Sequence, residues 1–348
     1  MKFLLFKSSF IQCFLICTLS IFTNFSALSA TVESDGNSND GDSNIAKNSF
    51  ERLSNALREL NFSTSFVVVK NNQAEPYHWL HGNTVDTTNN TQVELEILAL
   101  LNGPRRDILR IDNTVSYIEP EYAPYSIMSS HISGPIPAVF SQDISVIENN
   151  YHFVSVGRSR VLGRIAQLIR IVPKDTHRFG YWVWLDQQSG LLLKLAIITR
   201  KGQLLEQIQF THLEITDELS EHLKQLQATD LPEVVDITTK QEVTELAWEV
   251  NWLPDGFEQI KSNIHRMNAS KQAVEFMLFN DGLVDISVYV NPSKDKQRVI
   301  EFANDGATLV LNQVINNVEV SVVGQIPVAT AKKIVNSVRF IRDIGTPK

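Results

Sequence analysis

Two groups of arginine residues have the most distinctive chemistry in this sequence. Between residues 158 and 178 six cations stand against the single acid Asp175, and these cations are Arg158, Arg160, Arg164, Arg170, Lys174 and Arg178. The second group consists of Arg105, Arg106 and Arg110. Guanidinium forks bind phosphate and carboxylate oxygens, so these arginines are candidate contacts for an anionic ligand or an acidic partner. The alternative is that they pair internally with some of the 39 acidic residues of the chain.

An aromatic cluster follows the longer basic run and consists of Phe179, Tyr181, Trp182 and Trp184. On a strand, Trp182 and Trp184 face one way and Phe179 and Tyr181 face the other. One of these faces is expected to join the core. The other is a candidate cavity or interface lining, where tryptophan is favoured. Core packing is the alternative for each single ring.

Motifs for catalysis or metal binding are weak in this sequence. His78 and His81 are three residues apart, a spacing that sends them to opposite sides of a strand, and no acidic neighbour in the sequence completes a metal set. Residues 293–296 match Ser-x-x-Lys, but they stand in a charged turn beside Pro292 and the companion motifs are missing. Nucleophile elbows and phosphate-binding loops are also missing. The sequence therefore predicts a binding protein with no cofactor, and an enzyme such as a cell-wall hydrolase is the weaker alternative.

The first thirty residues have the features of a signal peptide. Lys2 and Lys7 precede an apolar stretch at 10–22, and small residues at 27–30 suit cleavage. An uncleaved membrane anchor is the alternative, although the stretch is short of the roughly 20 apolar residues that span a bilayer. We therefore expect export to the periplasm.

Both cysteines, Cys13 and Cys17, lie within this predicted signal peptide. The mature chain would then have no disulfide, no cysteine nucleophile and no thiolate metal site. Loss of Lys2 and Lys7 would also change the net charge from −8 to −10. A chain this acidic is a poor general binder of nucleic acid or of anionic membranes.

Composition divides the chain into five segments. After the signal peptide 1–30, we predict a disordered acidic tether at 31–45, because it is rich in Ser, Asn, Gly and Asp and has little to bury. A large domain at 46–215, an interdomain linker at 216–246 and a small domain at 247–348 follow, since about 300 residues usually form more than one core.

Apolar periodicity predicts a mostly β protein with few helices. Phe50, Leu53, Leu57 and Leu60 form one helical stripe, and alternation of period two starts after it. Strands are predicted at 62–70, 91–101, 106–112, 152–158, 162–172, 181–185, 191–199 and 204–213. The short turns between them indicate antiparallel pairing. Four prolines interrupt 119–142, and a long irregular segment within a sheet domain is often functional or mobile.

The small domain is predicted to be a sheet covered by one helix. The turn 280–282, with its Asp-Gly pair, joins strands at 274–279 and 284–290, because both central residues of a type I′ turn need positive φ. A second hairpin is predicted around 316–317, and Pro327 introduces a helix that carries Ile334, Val335 and Val338.

Segments spread over the mature chain resemble the MucB/RseB family. They are 101–110 (LNGPRRDILR), 160–164 (RVLGR), 177–181 (HRFGY), 184–186 (WLD), 189–194 (SGLLLK), 202–207 (GQLLEQ), 209–211 (QFT), 252–257 (WLPDGF), 281–283 (DGL) and 322–327 (VVGQIP). Their order and spacing carry the resemblance. Two departures are local: 62–66 (FSTSF) stands where the family has Tyr-x-Gly-Thr-Phe, and the acidic tether is longer.

The resemblance implies a fold and a function. The large domain would be similar to the Lol lipoprotein carriers (LolA/LolB-like), with an unclosed, curved antiparallel sheet and helices over its concave side. The protein would bind the periplasmic part of an RseA/MucA-type anti-sigma factor, shield it from site-1 proteolysis, and release it when lipopolysaccharide or a lipoprotein binds. A periplasmic lipid or lipoprotein carrier is the alternative, and self-association into a homo-oligomer is left open.

Overall fold

The computed structural model describes residues 38–86, 90–235, 246–266, 273–292, 300–315 and 317–341. The predicted signal peptide with both cysteines, and the Ser-x-x-Lys turn at 293–296, lie outside these residues. Within the described part of the chain, no helix combines the length and apolarity needed to cross a membrane.

An antiparallel sheet forms the large domain, as the alternation of apolar residues predicts, and it has eleven strands among the residues that the structure describes. Its strands are β1 (Asn61–Lys70), β2 (Gln73–Asp86), β3 (Thr91–Leu100), β4 (Asp107–Ile111), β5 (Thr114–Ile118), β6 (Tyr125–Met128), β7 (Tyr151–Val161), β8 (Arg164–Pro173), β9 (Gly180–Asp186), β10 (Leu192–Ile198) and β11 (Leu204–Thr216). Their order is β6-β5-β4-β3-β2-β1-β11-β10-β9-β8-β7. Strands β6 and β7 are the two edges, so the sheet is unclosed.

One helix, α1 (Ser38–Glu59), covers the face of the sheet that carries the main core. The predicted stripe is confirmed, because Phe50, Leu53 and Leu57 are buried there and Leu60 packs against them. The helix begins inside the predicted tether 31–45, and Ala46 is fully buried. Residues 38–45 are therefore helical, whereas the sequence predicted disorder there. They form the first turns of a helix that packs on this core from Ala46 onward.

A second helix, α2 (Glu221–Gln227), packs on the opposite face of the sheet. Its Leu223 and Leu226 are buried against Leu80 of β2 and Leu95 of β3. The helix lies within the predicted linker 216–246, yet its contacts belong to the large domain. Ser126 also exchanges backbone hydrogen bonds with residues 233 and 235. We therefore propose that the large domain ends near Val235.

The small domain is an antiparallel sheet covered by one helix, as predicted, and its described residues form six strands in that sheet. Its strands are β13 (Glu258–Arg266), β14 (Ala273–Asn280), β15 (Asp285–Pro292), β16 (Ile300–Asp305), β17 (Thr308–Ile315) and β18 (Val318–Gly324), and α3 (Val328–Ser337) covers it. The order is β13-β14-β15-β18-β17-β16. A short pair, β12 (Trp248–Val250) with β19 (Val338–Phe340), completes the domain. The fold class is thus mostly β, with a large and a small domain.

Candidate functional site

A cavity of about 290 Å³ lies between α1, strands β1–β4 and residues 130–138, which we call the proline loop. Its apolar lining includes Leu57, Phe66, Trp79, Leu98, Ile132 and Ile136. The loop belongs to the segment that the sequence analysis singled out for its prolines. The chain leaves the sheet after β6 ends at Met128. Pro135 and Pro137 lack the N–H that a strand would use, which favours an irregular segment that forms a wall of the cavity.

Charged residues form the polar end of this cavity. Antiparallel register sets Glu96 opposite both His81 and Arg110, and Glu94 lies two residues from Glu96 on the same face. Nε of Arg110 donates to Oε1 of Glu96 at 2.5 Å, and its Nη2 pairs with Glu94. Nε1 of Trp79 donates to Oε2 of Glu96 at 2.8 Å. The cavity therefore ends in a saturated ion-pair network rather than in free charge.

Hydrogen bonds favour the charged forms of Glu94 and Arg110 in this network. Burial alone would raise the pKa of Glu94, but hydrogen bonds from His81 and Arg110 outweigh burial and lower it. Burial opposes the charge of Arg110, and Glu96 with Glu94 nevertheless raises its pKa. Nη1 of Arg110 also donates to the carbonyl of Ser130 at 3.2 Å. The network thus fastens the start of the proline loop to the sheet.

Three of these side chains have the composition of a metal-binding set. Ligand atoms of His81, Glu94 and Glu96 lie within 4.8 Å of one another. Local sequence around His81 does not reveal this set, because the two acids come from the next strand. Their alternation within the apolar strand β3 was the signal that could have found them. Arg110 already engages both carboxylates, so we assign the group to ion pairing.

The longer basic run does not line this cavity. Arg158 and Arg160 are exposed near the end of β7, and Arg164 donates to Asp186 at 2.9 Å. Arg170 lies over the ring of Trp182, with 5.6 Å between its Cζ and the ring centroid. The structure therefore separates the exposed arginines from the cavity, and their predicted ligand contacts stay a prediction.

The remaining predicted arginines differ sharply in burial. Arg105 pairs with Asp107 and Arg106 lies 3.6 Å from Glu119, both at the surface. Arg178, in contrast, is 2% exposed, so no external anion reaches it in this arrangement.

Arg178 is enclosed by groups from both domains. Its guanidinium pairs with Asp175 and Asp281 and donates to the carbonyl of Asp255. It also lies over the rings of Tyr151 and Phe257. These contacts join the domains, and no local pattern in the sequence predicts them.

The four aromatic residues in β9 and just before it alternate as predicted. Tyr181 is 1% exposed in the main core, and Phe179 packs against that core. Trp182 and Trp184 lie on the other face, with 6.0 Å between their ring centroids, and Nζ of Lys194 is 4.8 Å from the ring of Trp184. None of the four lines the cavity at β1–β4. The assignment of Trp182 and Trp184 to an interface stays a prediction.

Comparisons with known proteins identify relatives of both domains. The model of the MucB/RseB N-terminal domain matches residues 45–235, and that of the MucB/RseB C-terminal domain matches residues 242–339. The chain is 30% identical to the sigma-E factor regulatory protein RseB of Haemophilus influenzae, over 85% of this chain and 91% of that protein. It is also 30% identical to the sigma factor AlgU regulatory protein MucB of Pseudomonas aeruginosa, over 83% and 89%.

A solved structure has the same fold over its full length. It is MucB in complex with MucA(peri), and its MucB chain is 28% identical to this chain, with a TM-score of 0.66. The match covers 86% of this chain and 100% of that one. These relatives are regulatory proteins by name, which agrees with the prediction of a binding protein.

Proposed function

Because the chain belongs to the MucB/RseB family, we propose that it is a periplasmic negative regulator of an envelope-stress sigma factor. It binds the periplasmic segment of a MucA/RseA-type anti-sigma factor. The observation that carries this proposal is the similarity in fold over 100% of a MucB chain that was solved with MucA(peri). Surfaces of two sheet domains can hold such a segment without any catalytic group.

Protection from proteolysis follows from this binding. A site-1 protease must reach an extended, unoccupied segment of the anti-sigma factor. A segment held on this protein is withheld from the protease in proportion to the fraction bound. The protein therefore acts by mass action and needs no contact with the protease.

A lipidic ligand, lipopolysaccharide or an acylated protein, releases the complex. The cavity of about 290 Å³ supports this part of the proposal, because its lining is mostly apolar and its volume approaches that of small-molecule sites. A ligand that binds the free protein more tightly than it binds the anti-sigma complex lowers the affinity for the anti-sigma segment by the same factor. A hundredfold effect requires only about 2.7 kcal/mol of differential binding.

The proline loop lies between the cavity and the small domain, and it lines both the cavity and a cleft beside that domain. Ile132 and Ile136 line the cavity, and they also line a neighbouring cleft of about 410 Å³ together with Leu283 and Val323 of the small domain. A ligand that displaces the loop would therefore change the surface between the two domains. This shared wall supports release by linkage.

The headgroup of the ligand needs a cation near the cavity. Arg58 is exposed, lines the cavity and donates to the carbonyl of Ser141 at 3.4 Å. Arg158, Arg160 and Arg164 were predicted for this role, and none of them is in the lining. Arg58→Glu should therefore weaken lipopolysaccharide-dependent release more than reversal of those three arginines does.

Cleavage of the anti-sigma segment tests the proposal. The purified chain without residues 1–30 is incubated with the segment and the site-1 protease, with and without lipopolysaccharide. We expect slow cleavage with the protein alone and faster cleavage once the lipid is added. Equal cleavage with and without the protein would overturn the regulatory role. Protection that the lipid does not change would overturn only the lipid signal.

A periplasmic lipid or lipoprotein carrier is the second candidate, and the same apolar cavity favours it. A carrier transfers acylated cargo from a donor to an acceptor, whereas a regulator retains the anti-sigma segment in a pull-down. We expect retention without transfer. Transfer without retention would favour the carrier.

A further inference from the structure

Strands β7 and β8 form a hairpin at one edge of the large sheet. The strands pair from Tyr151 with Pro173 to Val161 with Arg164, whereas the pairing of β8 with β9 ends at Ala166. Leu162 and Gly163 both have positive φ, as a two-residue turn requires. The tip of this hairpin therefore extends past the ladder of the neighbouring strand.

Positive charge is concentrated at this tip. Arg158 and Arg160 are exposed, and the structure shows no acidic partner for either among the residues that it describes. Arg164 pairs with Asp186, an acid that is only 2% exposed. Arg52 of α1 donates to the carbonyls of Gln187 and Gln188, beside the start of β8, and adds a fourth cation. The exposed charge here is thus opposite in sign to the net charge of −8 of the chain.

Apolar side chains are exposed on the same hairpin. Val156 is 51% exposed and Ile165 is 58% exposed. Exposed cations interleaved with exposed aliphatic side chains suit a membrane interface, where the cations meet phosphates and the aliphatic groups meet the boundary of the acyl chains. Single exposed aliphatic residues are ordinary, so it is their combination with the arginines that carries the inference.

We propose that the tip of the β7–β8 hairpin contacts the surface of an anionic phospholipid bilayer. This contact goes beyond the proposed regulatory function and does not depend on it. A few arginines and two aliphatic side chains give weak, reversible attachment to the membrane. Stable anchoring requires two lipid chains, or one lipid chain together with a polybasic patch. Such attachment raises the local concentration of the protein at the membrane.

An acidic peptide is the competing occupant, and the backbone of β7 disfavours it. A peptide would bind an edge strand by extending its hydrogen-bond ladder. The register of β7 shifts between Ser155 and Gly157, and Gly157 has a φ of 126°. Such a bulge interrupts the ladder of an edge strand and protects it from further pairing. A bilayer surface needs no ladder.

Vesicle co-sedimentation tests the contact. The chain without residues 1–30 is mixed with vesicles of phosphatidylcholine, with or without phosphatidylglycerol. We expect binding that requires phosphatidylglycerol and that is lost at about 1 M salt, where the Debye length is about 3 Å. Each basic residue near an anionic surface raises the affinity for that surface roughly fivefold. Because two such residues are reversed, Arg158→Glu with Arg160→Glu should lower the affinity for the vesicles by about thirtyfold or more.

Matched variants separate this site from net charge. Arg200→Glu with Lys201→Glu makes the same change in charge at exposed residues of another turn, and it should leave most of the binding intact. Ile165→Ser should lower binding without changing its dependence on salt. Equal losses in the two double variants, or equal binding to pure phosphatidylcholine, would overturn the proposal. So would a loss of anti-sigma segment binding in Arg158→Glu/Arg160→Glu with vesicle binding unchanged, because the hairpin would then contact the protein partner.

Discussion

Nε of Arg178 donates a hydrogen bond to Oδ2 of Asp281 at 2.6 Å, and this ion pair joins the large domain to a hairpin turn of the small domain. Neither side chain is more than 1% exposed. Oδ1 of Asp281 accepts the N–H groups of Leu283 and Val284, and the hydroxyl of Tyr151 donates to Oδ2 at 2.9 Å. One carboxylate therefore fixes the turn and the domain contact together.

Removal of Arg178 should destabilise the protein strongly. Arg178→Met leaves the carboxylate of Asp281 buried without its cation, so the free energy of unfolding should fall by about 3–5 kcal/mol. Arg178→Met with Asp281→Asn should lose less than the sum of the two single changes, because neither charge of the pair remains. Chemical unfolding followed by tryptophan fluorescence measures these values.

The control for this prediction is an exposed ion pair. Arg105→Met removes a partner of Asp107 at the surface, where such pairs are worth about 0–1 kcal/mol. Strictly additive losses in Arg178→Met and Asp281→Asn would show that the two residues are uncoupled and would contradict the prediction.

A second contact between the domains should respond to pH. Nζ of Lys70 donates to Oδ2 of Asp305 at 2.7 Å, and Oε2 of Glu206 accepts the N–H of Ala307 at 3.4 Å. Burial raises the pKa of Glu206, and Asp305 and Glu75 raise it further, although the N–H of Ala307 and Lys70 oppose this. The net shift is upward, so the folded protein binds this proton more tightly than the unfolded chain.

Stability should therefore fall as the pH rises through the folded-state pKa of Glu206. This contribution favours folding below the unfolded value of 4.5 and is lost at higher pH. Glu206→Gln keeps a neutral side chain at every pH, so it should become more stable than wild type as the pH rises. Thermal unfolding between pH 4 and pH 8 measures the difference. Glu249→Gln, at an exposed glutamate, is the control, and parallel wild-type and Glu206→Gln curves would refute the prediction.

The network at the cavity should depend on Arg110. Arg110→Met leaves Glu96, which is 5% exposed, without its cation, and it also removes the donor to the carbonyl of Ser130. We expect a loss of about 3–5 kcal/mol in urea unfolding and faster proteolysis of the proline loop. Arg106 is exposed and lies just before β4, so Arg106→Met should change neither the free energy of unfolding nor the proteolysis of the loop. Unchanged loop proteolysis in Arg110→Met would mean that the network does not hold the loop.

Filling the cavity should selectively weaken the binding of acyl chains. Ile132→Trp adds volume to the wall of the cavity, at a partly buried residue of the proline loop. We expect a dansyl-labelled fatty acid to lose about tenfold or more in affinity, while the free energy of unfolding falls by no more than about 1–3 kcal/mol, the usual cost of added side-chain volume. Leu204→Trp, at a side chain that is 50% exposed elsewhere, is the matched control. Equal affinity in both variants would place the acyl site outside this cavity.

Local patterns in the sequence predict most strands and turns. Gly282 adopts positive φ in the predicted turn 280–282, and the face shared by Ile286, Val288 and Val290 is buried as alternation predicts. Strand β2 was not predicted as a unit, because Pro76 and the polar residues around it mask its alternation. Pairing with β1 and β3 on both sides makes it a strand nevertheless.

Arginine burial could not be read from the sequence. Arg158 and Arg178 belong to one basic run, yet Arg158 is exposed and Arg178 is buried, with 2% of its surface exposed. One of the two acids that pair with Arg178 is Asp281, more than a hundred residues away, and the acids that pair with Arg110 come from the neighbouring strand β3. Periodicity and turn residues are short-range properties, so the sequence by itself determined the sheets, the hairpins and the family. Register and domain contact are long-range, so only the tertiary structure decided which charges are paired, where the cavity forms and which hairpin is left exposed.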